Sequence, residues 1–197
     1  MSGVFRVDLH VKVLDEAVVR RAKRRGLDAL VYAPHFTRLP DIRERAAAFT
    51  DSELLVVPAR EVFAGAWHER KHVLALDLED PVPDFIPLAS AMAEFERQDA
   101  VVLVPHPDYA TVSLDPEEVA AYRETVDAIE TYNPRHFAGH NRRAGRLAAD
   151  LDLPAFGSSY AHLRGTVGEV WTTVERDIAD ADDLLAALRE GAPRRVE

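Results

Sequence analysis

Residues 4–32 read VFRVDLHVKVLDEAVVRRAKRRGLDALVY, and the order of textures in that stretch decides the fold. Residues 4–9 are short, apolar and partly β-branched, which reads as a strand. Leu14, Val18 and Ala22 then recur every four residues, so one stripe faces inward, Arg20, Arg21, Lys23 and Arg24 stay in water, and Gly26 closes a helix. Residues 29–32 form a second strand. A strand, a helix and a strand at this spacing make a βαβ unit, whose crossover leaves the two strands parallel. Working outward, candidate strands follow at 54–58, 72–78, 101–104, 128–132, 154–158 and 169–174, with room for a helix between most of them. Asp115-Pro116-Glu117-Glu118 supplies an N-cap, a first-turn proline and a carboxylate three residues after the cap. The last helix, 182–190, has acids at its start, Arg189 near its end and Gly191 after it. No Gly/Ser linker divides the chain, so residues 1–197 read as one α/β domain with a parallel sheet, either a closed barrel or an open doubly wound one.

Composition narrows the chemistry. The 197 residues contain no cysteine, which excludes disulfides, thiol nucleophiles and thiolate metal sites, so any metal must be held by histidine and carboxylate. The start MSGVFRVDLH lacks a basic region followed by an apolar stretch, and apolar runs such as 101–104 are far too short to span a bilayer; the expectation is a cytoplasmic protein with no membrane partner. Lys and Arg number 24 against 34 Asp and Glu, a formal net charge of -10. Only Lys12, Lys23 and Lys71 are lysines while Asp numbers 18, a balance familiar from proteins of high-salt environments. An acidic surface of this kind repels nucleic-acid phosphates; alternatively it serves solubility in brine and says nothing about substrate. Composition leaves oligomeric state open.

The eight histidines are informative by position. His10 follows the first strand, His35 the second, Glu61 the third; His72 opens the fourth, His106 follows the fifth, Glu130 lies in the sixth, and His162 follows the seventh. In a closed parallel barrel the C-terminal strand ends share one rim, where residues distant in sequence meet and active sites are built. Imidazoles and a carboxylate gathered there have the composition of a sulfur-free zinc, manganese or iron site. His68, His136 and His140 lie outside the pattern and read as ordinary surface or loop residues.

These motifs resemble, in order and spacing along essentially the whole chain, the PHP family, named after its polymerase and histidinol phosphatase members. Asp8-Leu9-His10-Val11-Lys12 resembles the opening Asp-Leu-His-x-His motif, and Arg25 to Leu30 with Ala33-Pro34-His35 resembles the segment ending in Thr-Asp-His. Arg60-Glu61-Val62 matches the glutamate motif, His72 the histidine that begins the fourth strand, and Pro105-His106-Pro107 the His-Pro motif. Glu130 to Asn133 resembles the Glu-x-x-Asn strand, and Ser158-Ser159-Tyr160-Ala161-His162 the closing Gly-Ser-Asp-Ala-His. The resemblance implies a distorted (β/α)7 TIM-like barrel with up to three divalent ions in a cleft at the strand ends, and usually phosphoester hydrolysis. It makes His10, His35, Glu61, His72, His106 and His162 metal ligands. Glu61 would bridge to an ion shared with His72 and His106, while His35 and His162 hold another.

Three departures change that set. The second histidine of the opening pair is Lys12, the aspartate before His35 is Pro34, and the closing aspartate is Tyr160. Two losses fall on one ion, leaving it only His10 and Glu61, so the resemblance implies two ions (zinc, manganese or iron) rather than three. Residues i and i+2 on a strand share a face, so Lys12 either projects its ammonium beside His10 toward the lost cation, neutralising Glu61 and attracting phosphate, or snorkels to solvent. Tyr160 is a phenolic donor or an aromatic lid. The expected function is a metal-dependent phosphoesterase acting on a small phosphorylated metabolite or nucleotide, with Glu61, His106 and His162 catalytic and Lys12, Arg60 and Tyr160 binding substrate. Two rivals stand beside it. One is a catalytically degenerate PHP barrel serving as a binding or assembly subunit, whose arginine clusters could face RNA; the other is a one-metal or cation-independent lyase or hydrolase using histidine and Tyr160 as acid and base.

Overall fold

Strand β1 (Phe5–Val11) lies in the interior of a nine-stranded sheet in the computed structural model, which describes residues 3–110 and 112–197. Helix α1 (Glu16–Arg24) returns the chain to β2 (Ala29–Tyr32), and α2 (Leu39–Phe49) leads to β3 (Leu55–Ala64). Then β4 (Lys71–Leu76), α3 (Leu88–Arg97), β5 (Val101–Val104), α4 (Pro116–Ala121), β6 (Ala128–Tyr132), α5 (Ala138–Asp150) and β7 (Ala155–Gly157) follow, before β8 (Thr172–Val174), α6 (Ala181–Arg189) and β9 (Arg194–Val196). The expected caps form: Asp115 accepts from the Glu118 amide while the Glu118 side chain accepts from the Asp115 amide, and Asp15 accepts from the amides of Ala17 and Val18.

The spatial order is β7-β6-β5-β4-β3-β2-β1-β8-β9. Pairs β1/β2, β2/β3, β5/β6 and β6/β7 are parallel, as the βα repeats predict, but β4 runs antiparallel to both β3 and β5, and β8 to both β1 and β9. The mixed α/β class and barrel shape agree with expectation; a regular seven-strand parallel count does not describe this sheet. The reversal of β4 has a direct consequence: its first residues, not its last, lie on the rim where the parallel strands end. This is why His72 is useful at the start of its strand.

The edge strands β7 and β9 meet without a ladder. Thr172 closes the seam, its hydroxyl accepting from the Gly157 amide (3.0 Å) and donating to the Gly157 carbonyl (2.9 Å). Gly157 is needed there, because a Cβ would lie 2.3 Å from a methyl of Val196. At the rim, Lys12 donates its amide to Ala161 O (2.9 Å) and Ala161 returns its own to His10 O (3.1 Å), so β1 is tied to the segment that carries Tyr160 and His162.

Inside the barrel, Val7, Leu9, Val31, Ala59, Leu74, Leu103 and Phe156 pack with Leu184 and Leu188 of α6, which stops the end where the parallel strands begin. The opposite rim is free for polar groups. In β1 the register shifts between Asp8 and Val11; Val7 and Leu9 belong to the inner core, whereas Val11 joins the outer cluster under α1 and α2. That irregularity moves the alternation by one residue and turns His10 and Lys12 inward at the rim. Among the described residues, no helix is long and apolar enough to cross a membrane.

Candidate metal centre

Glu61 is the hub. It belongs to the rim half of β3, its side chain is fully buried, and its two oxygens face different company. Around Oε1 stand His72 Nδ1 (3.2 Å), His10 Nε2 (3.4 Å) and His106 Nε2 (3.6 Å). A tetrahedral ion with bonds of about 2.0–2.1 Å separates its ligands by roughly 3.3–3.5 Å, so these spacings are those of a shared ion rather than of hydrogen bonds. The polar inventory agrees: both nitrogens of His10 and of His72, His106 Nε2 and Glu61 Oε1 are buried without a hydrogen-bond partner. Unpaired buried polar atoms are costly one at a time, and converging on one point they call for a cation. Glu61, His72 and His106 each bring a ligand atom within 4.8 Å of the other two, and His10 stands beside them.

Neighbours fix the ligand rings. Ser113 Oγ lies 2.9 Å from His106 Nδ1, which leaves Nε2 aimed at Glu61, and the His72 ring stacks on Phe63 at 4.1 Å. His106 itself sits in left-handed backbone (φ 35°), held by its amide's bond to Glu130 Oε2 (2.7 Å). Glu130 is buried, and its other contacts are Asn133 Nδ2 (3.1 Å) and Ser158 Oγ (2.5 Å), so the Glu-x-x-Asn segment is a brace that ties β5, β6 and β7 at the rim. Burial raises the Glu130 carboxyl above its ordinary range.

On the Oε2 side stand Lys12, as an ion pair, and His35 Nε2. Lys12 therefore does not snorkel; its side chain is buried and its ammonium occupies the place beside His10 that strand geometry predicts. Burial pushes the ammonium down and the Glu61 charge opposes that push. Burial by itself would raise Glu61, but Lys12 holds the carboxyl well below its usual range. His10 is pushed down as well, by burial and then by the Lys12 charge, which keeps the imidazole neutral.

His162 Nδ1 donates to the Tyr160 carbonyl in the same loop (3.1 Å), and its ring lies 5.5 Å from that of His35. Tyr160, also in left-handed backbone (φ 48°), places its ring edge-on to His10 (4.9 Å), His106 (5.2 Å) and His162 (4.6 Å). Burial, then the charges of Glu61 and Glu130, raise its phenol, so it is a neutral donor over the cluster rather than a phenolate ligand. A cleft of about 940 Å³, lined by Lys12, Tyr32, Arg45, His162 and Arg164 among others, opens beside Lys12 and His162.

Residues 138–193 match the model of the PHP-associated family. That match spans 56 of the 197 residues. No curated protein is significantly similar in sequence, but solved structures share the fold. PsfC from Pseudomonas syringae superposes with a TM-score of 0.71 at 20% identity, covering 96% of this chain and 95% of its own. A Bifidobacterium adolescentis protein assigned as a metal-dependent phosphoesterase has a TM-score of 0.64 at 15% identity, over 95% and 96%. The lesion-specific endonuclease EndoQ from Pyrococcus furiosus has a TM-score of 0.69 at 15% identity, over 98% of this chain and 58% of the endonuclease.

Within this barrel, His10, His35, Glu61, His72, His106 and His162 meet at one rim together with Lys12 and Tyr160. Arg60 does not join them. It precedes Glu61 on the strand and so points to the opposite face, where it donates to Thr37 O (2.8 Å) and pairs with Asp84 (2.9 Å). As a phosphate clamp it is therefore replaced by a structural tie. One of the residues set aside as ordinary is nearer than sequence suggested: His136 stacks on Tyr109 at 4.1 Å and lies 5.9 Å from His106, and burial lowers it to about 4. His68 is exposed. Asp8 was quoted only as part of a motif, yet it is fully buried and accepts from the Ser159 amide (3.0 Å), the Ser159 hydroxyl and the Gly168 amide (3.0 Å), anchoring the loop that carries Tyr160 and His162. A lone acid between Val7 and Leu9 in a buried strand was the available signal.

Proposed function

We propose that this chain is a metal-dependent phosphoesterase that hydrolyses a small phosphorylated metabolite or nucleotide. The observation that carries the reading is the convergence of three imidazole nitrogens at 3.2–3.6 Å on one buried, unpartnered carboxylate oxygen. Glu61, His72 and His106 would hold a divalent ion, with His10 beside them; His35 and His162 offer two more nitrogens for a second, weaker one. A bound ion supplies Lewis acidity to a phosphoryl oxygen and lowers the pKa of the attacking water. The chain's own groups do the rest. Ser113 and Phe63 keep the ligand rings oriented, Lys12 neutralises the outer oxygen of Glu61 and adds positive charge beside the phosphate position, and the neutral Tyr160 donates a hydrogen bond across the cluster. The relatives assigned or named as a phosphoesterase and an endonuclease support phosphoester chemistry on this fold.

One observation favours the second reading, a retired binding subunit: the Lys12–Glu61 ion pair satisfies half of the carboxylate that a full metal set would use. Elemental analysis of protein purified without chelator, paired with phosphomonoester and phosphodiester assays in added manganese, separates the two. The enzyme reading expects at least one bound ion per chain and hydrolysis abolished by a strong chelator; metal-free protein without activity leaves the binding subunit.

A further inference from the structure

A second feature lies on the rim beside the cluster. Phe36 (58% exposed), Trp67 (60%) and Phe85 (43%) come from three separate connections and meet in solvent. Phe36 stacks near-parallel on Trp67 (6.4 Å, 26°) and on Phe85 (6.3 Å, 26°), and Trp67 lies 5.7 Å from Phe85. The buried Phe63 forms their floor, 5.1 Å from Phe36, and its other neighbours are the candidate ligands His35 (5.1 Å) and His72 (4.1 Å). Arg70 lies across Trp67 at 4.5 Å; it gives one N–H to the Trp67 carbonyl (2.8 Å), and its charge reaches Tyr160 over the cluster.

Holding these rings outward takes structure. Phe36 and Phe85 are both in left-handed backbone, at φ 50° and 65°, a conformation that is strained for a large side chain. Arg60 maintains it: the same guanidinium bonds Thr37 O beside Phe36 and Asp84 beside Phe85, and Asp84 in turn accepts the Phe63 amide (3.0 Å). One buried cation thus clamps two strained positions whose aromatic rings stay largely in solvent. The 940 Å³ cleft on the other side of His162 is lined by charges of both signs and suits a polar group instead.

We infer that Phe36, Trp67 and Phe85, with Arg70 at their edge, bind a flat aromatic ring, a nucleobase or a phenyl group, on the part of the substrate that bears the phosphate. Arg60 is the positioning residue of this shelf. The inference rests on the Glu61 cluster being the phosphoester centre, since only that gives the ring a phosphate to present. Faces of aromatic side chains hold planar rings by stacking, with about fivefold or greater loss of affinity when one is removed.

The test uses the full chain treated with chelator and two probes without phosphate, adenosine and benzyl alcohol, read by quenching of Trp67 fluorescence, with ribose as control and Trp67→Leu to identify the reporter. Because glycine adopts both backbone conformations freely, Phe36→Gly/Phe85→Gly removes two rings without forcing the fold. The expected result is saturable quenching by adenosine or benzyl alcohol, weakened about fivefold or more in the double variant at an unchanged melting temperature; adenosine alone marks a nucleobase site, both a general ring site. No quenching, equal quenching in the double variant, or a wild-type dimer that the double variant dissociates would each overturn the inference, the last by making the shelf a self-association surface. Since neither probe carries phosphate, ring binding with no hydrolysis overturns the phosphoesterase reading and leaves the ring site standing, while hydrolysis without ring binding does the reverse.

Discussion

The two oxygens of Glu61 sit about two bond lengths apart and live in different worlds. Oε1 faces three imidazole nitrogens and has no hydrogen-bond partner, whereas Oε2 is engaged by the Lys12 ammonium and by His35. The inner side is a set of nitrogen and oxygen donors with no cation among them; on the outer side the charge is met by a cation that is covalently part of the chain. A fixed ammonium neutralises a carboxylate as well as a metal does, but it has no open coordination position and cannot activate water. The comparison teaches that losing ligands need not expose a buried charge, provided the substitute brings the charge with it.

The largest test of this contrast is Glu61→Gln, which removes the charge from both sides. It should abolish tight ion binding and cut hydrolysis on the order of a thousandfold or more, read by calorimetry and steady-state assay. It also strands Lys12, and an unpaired buried charge costs about 3 kcal/mol, visible as a lower urea midpoint in the chelated protein. Next comes Lys12→His, which would give the outer side a metal-binding donor set: elemental analysis should gain one ion per chain, and an unchanged count would mean that Tyr160 alone is enough to forbid an ion there.

Ser113→Ala touches only the orientation of His106. It should weaken the inner ion by about ten- to a hundredfold while leaving Lys12 and the outer side unaffected, and a titration unchanged from wild type would remove Ser113 from the account. The smallest expected effect concerns Asp8, which burial raises to about 6. A carboxyl bound more tightly to its proton in the folded state stabilises below its unfolded pKa and loses that contribution as pH rises through about 6. Comparing wild type with Asp8→Asn in urea at pH 7 and pH 5, the difference should move toward wild type by about 1 kcal/mol at the lower pH. His10, His72 and His162, whose pKa values burial lowers, run with the opposite sign, so both proteins lose stability on acidification through their unfolded pKa near 6.5.

The rim of histidines was legible because each follows, or in β4 opens, a run whose β-branched texture marks a strand, and parallel strand ends converge by topology. What escaped were features set by strand direction and register. The reversal of β4 leaves no local trace, so Arg70 could not be seen to reach the rim. The far half of β3, Arg60 to Ala64, lacks a continuous apolar run, and β9, Arg194-Arg195-Val196, is a short polar edge with no period at all. Arg60 is different: adjacent strand residues face opposite ways, so its placement with Glu61 contradicted arithmetic that the sequence already allowed. The bulge that turns His10 and Lys12 inward depends on tertiary closure between β1 and Ala161, which no single stretch encodes.

The most direct measurement is calorimetric titration of chelator-treated protein with zinc, run beside His72→Ala and His106→Ala. The account predicts one tight stage in the wild type that both substitutions abolish. Binding that survives both, or no binding at all in the wild type, would contradict it.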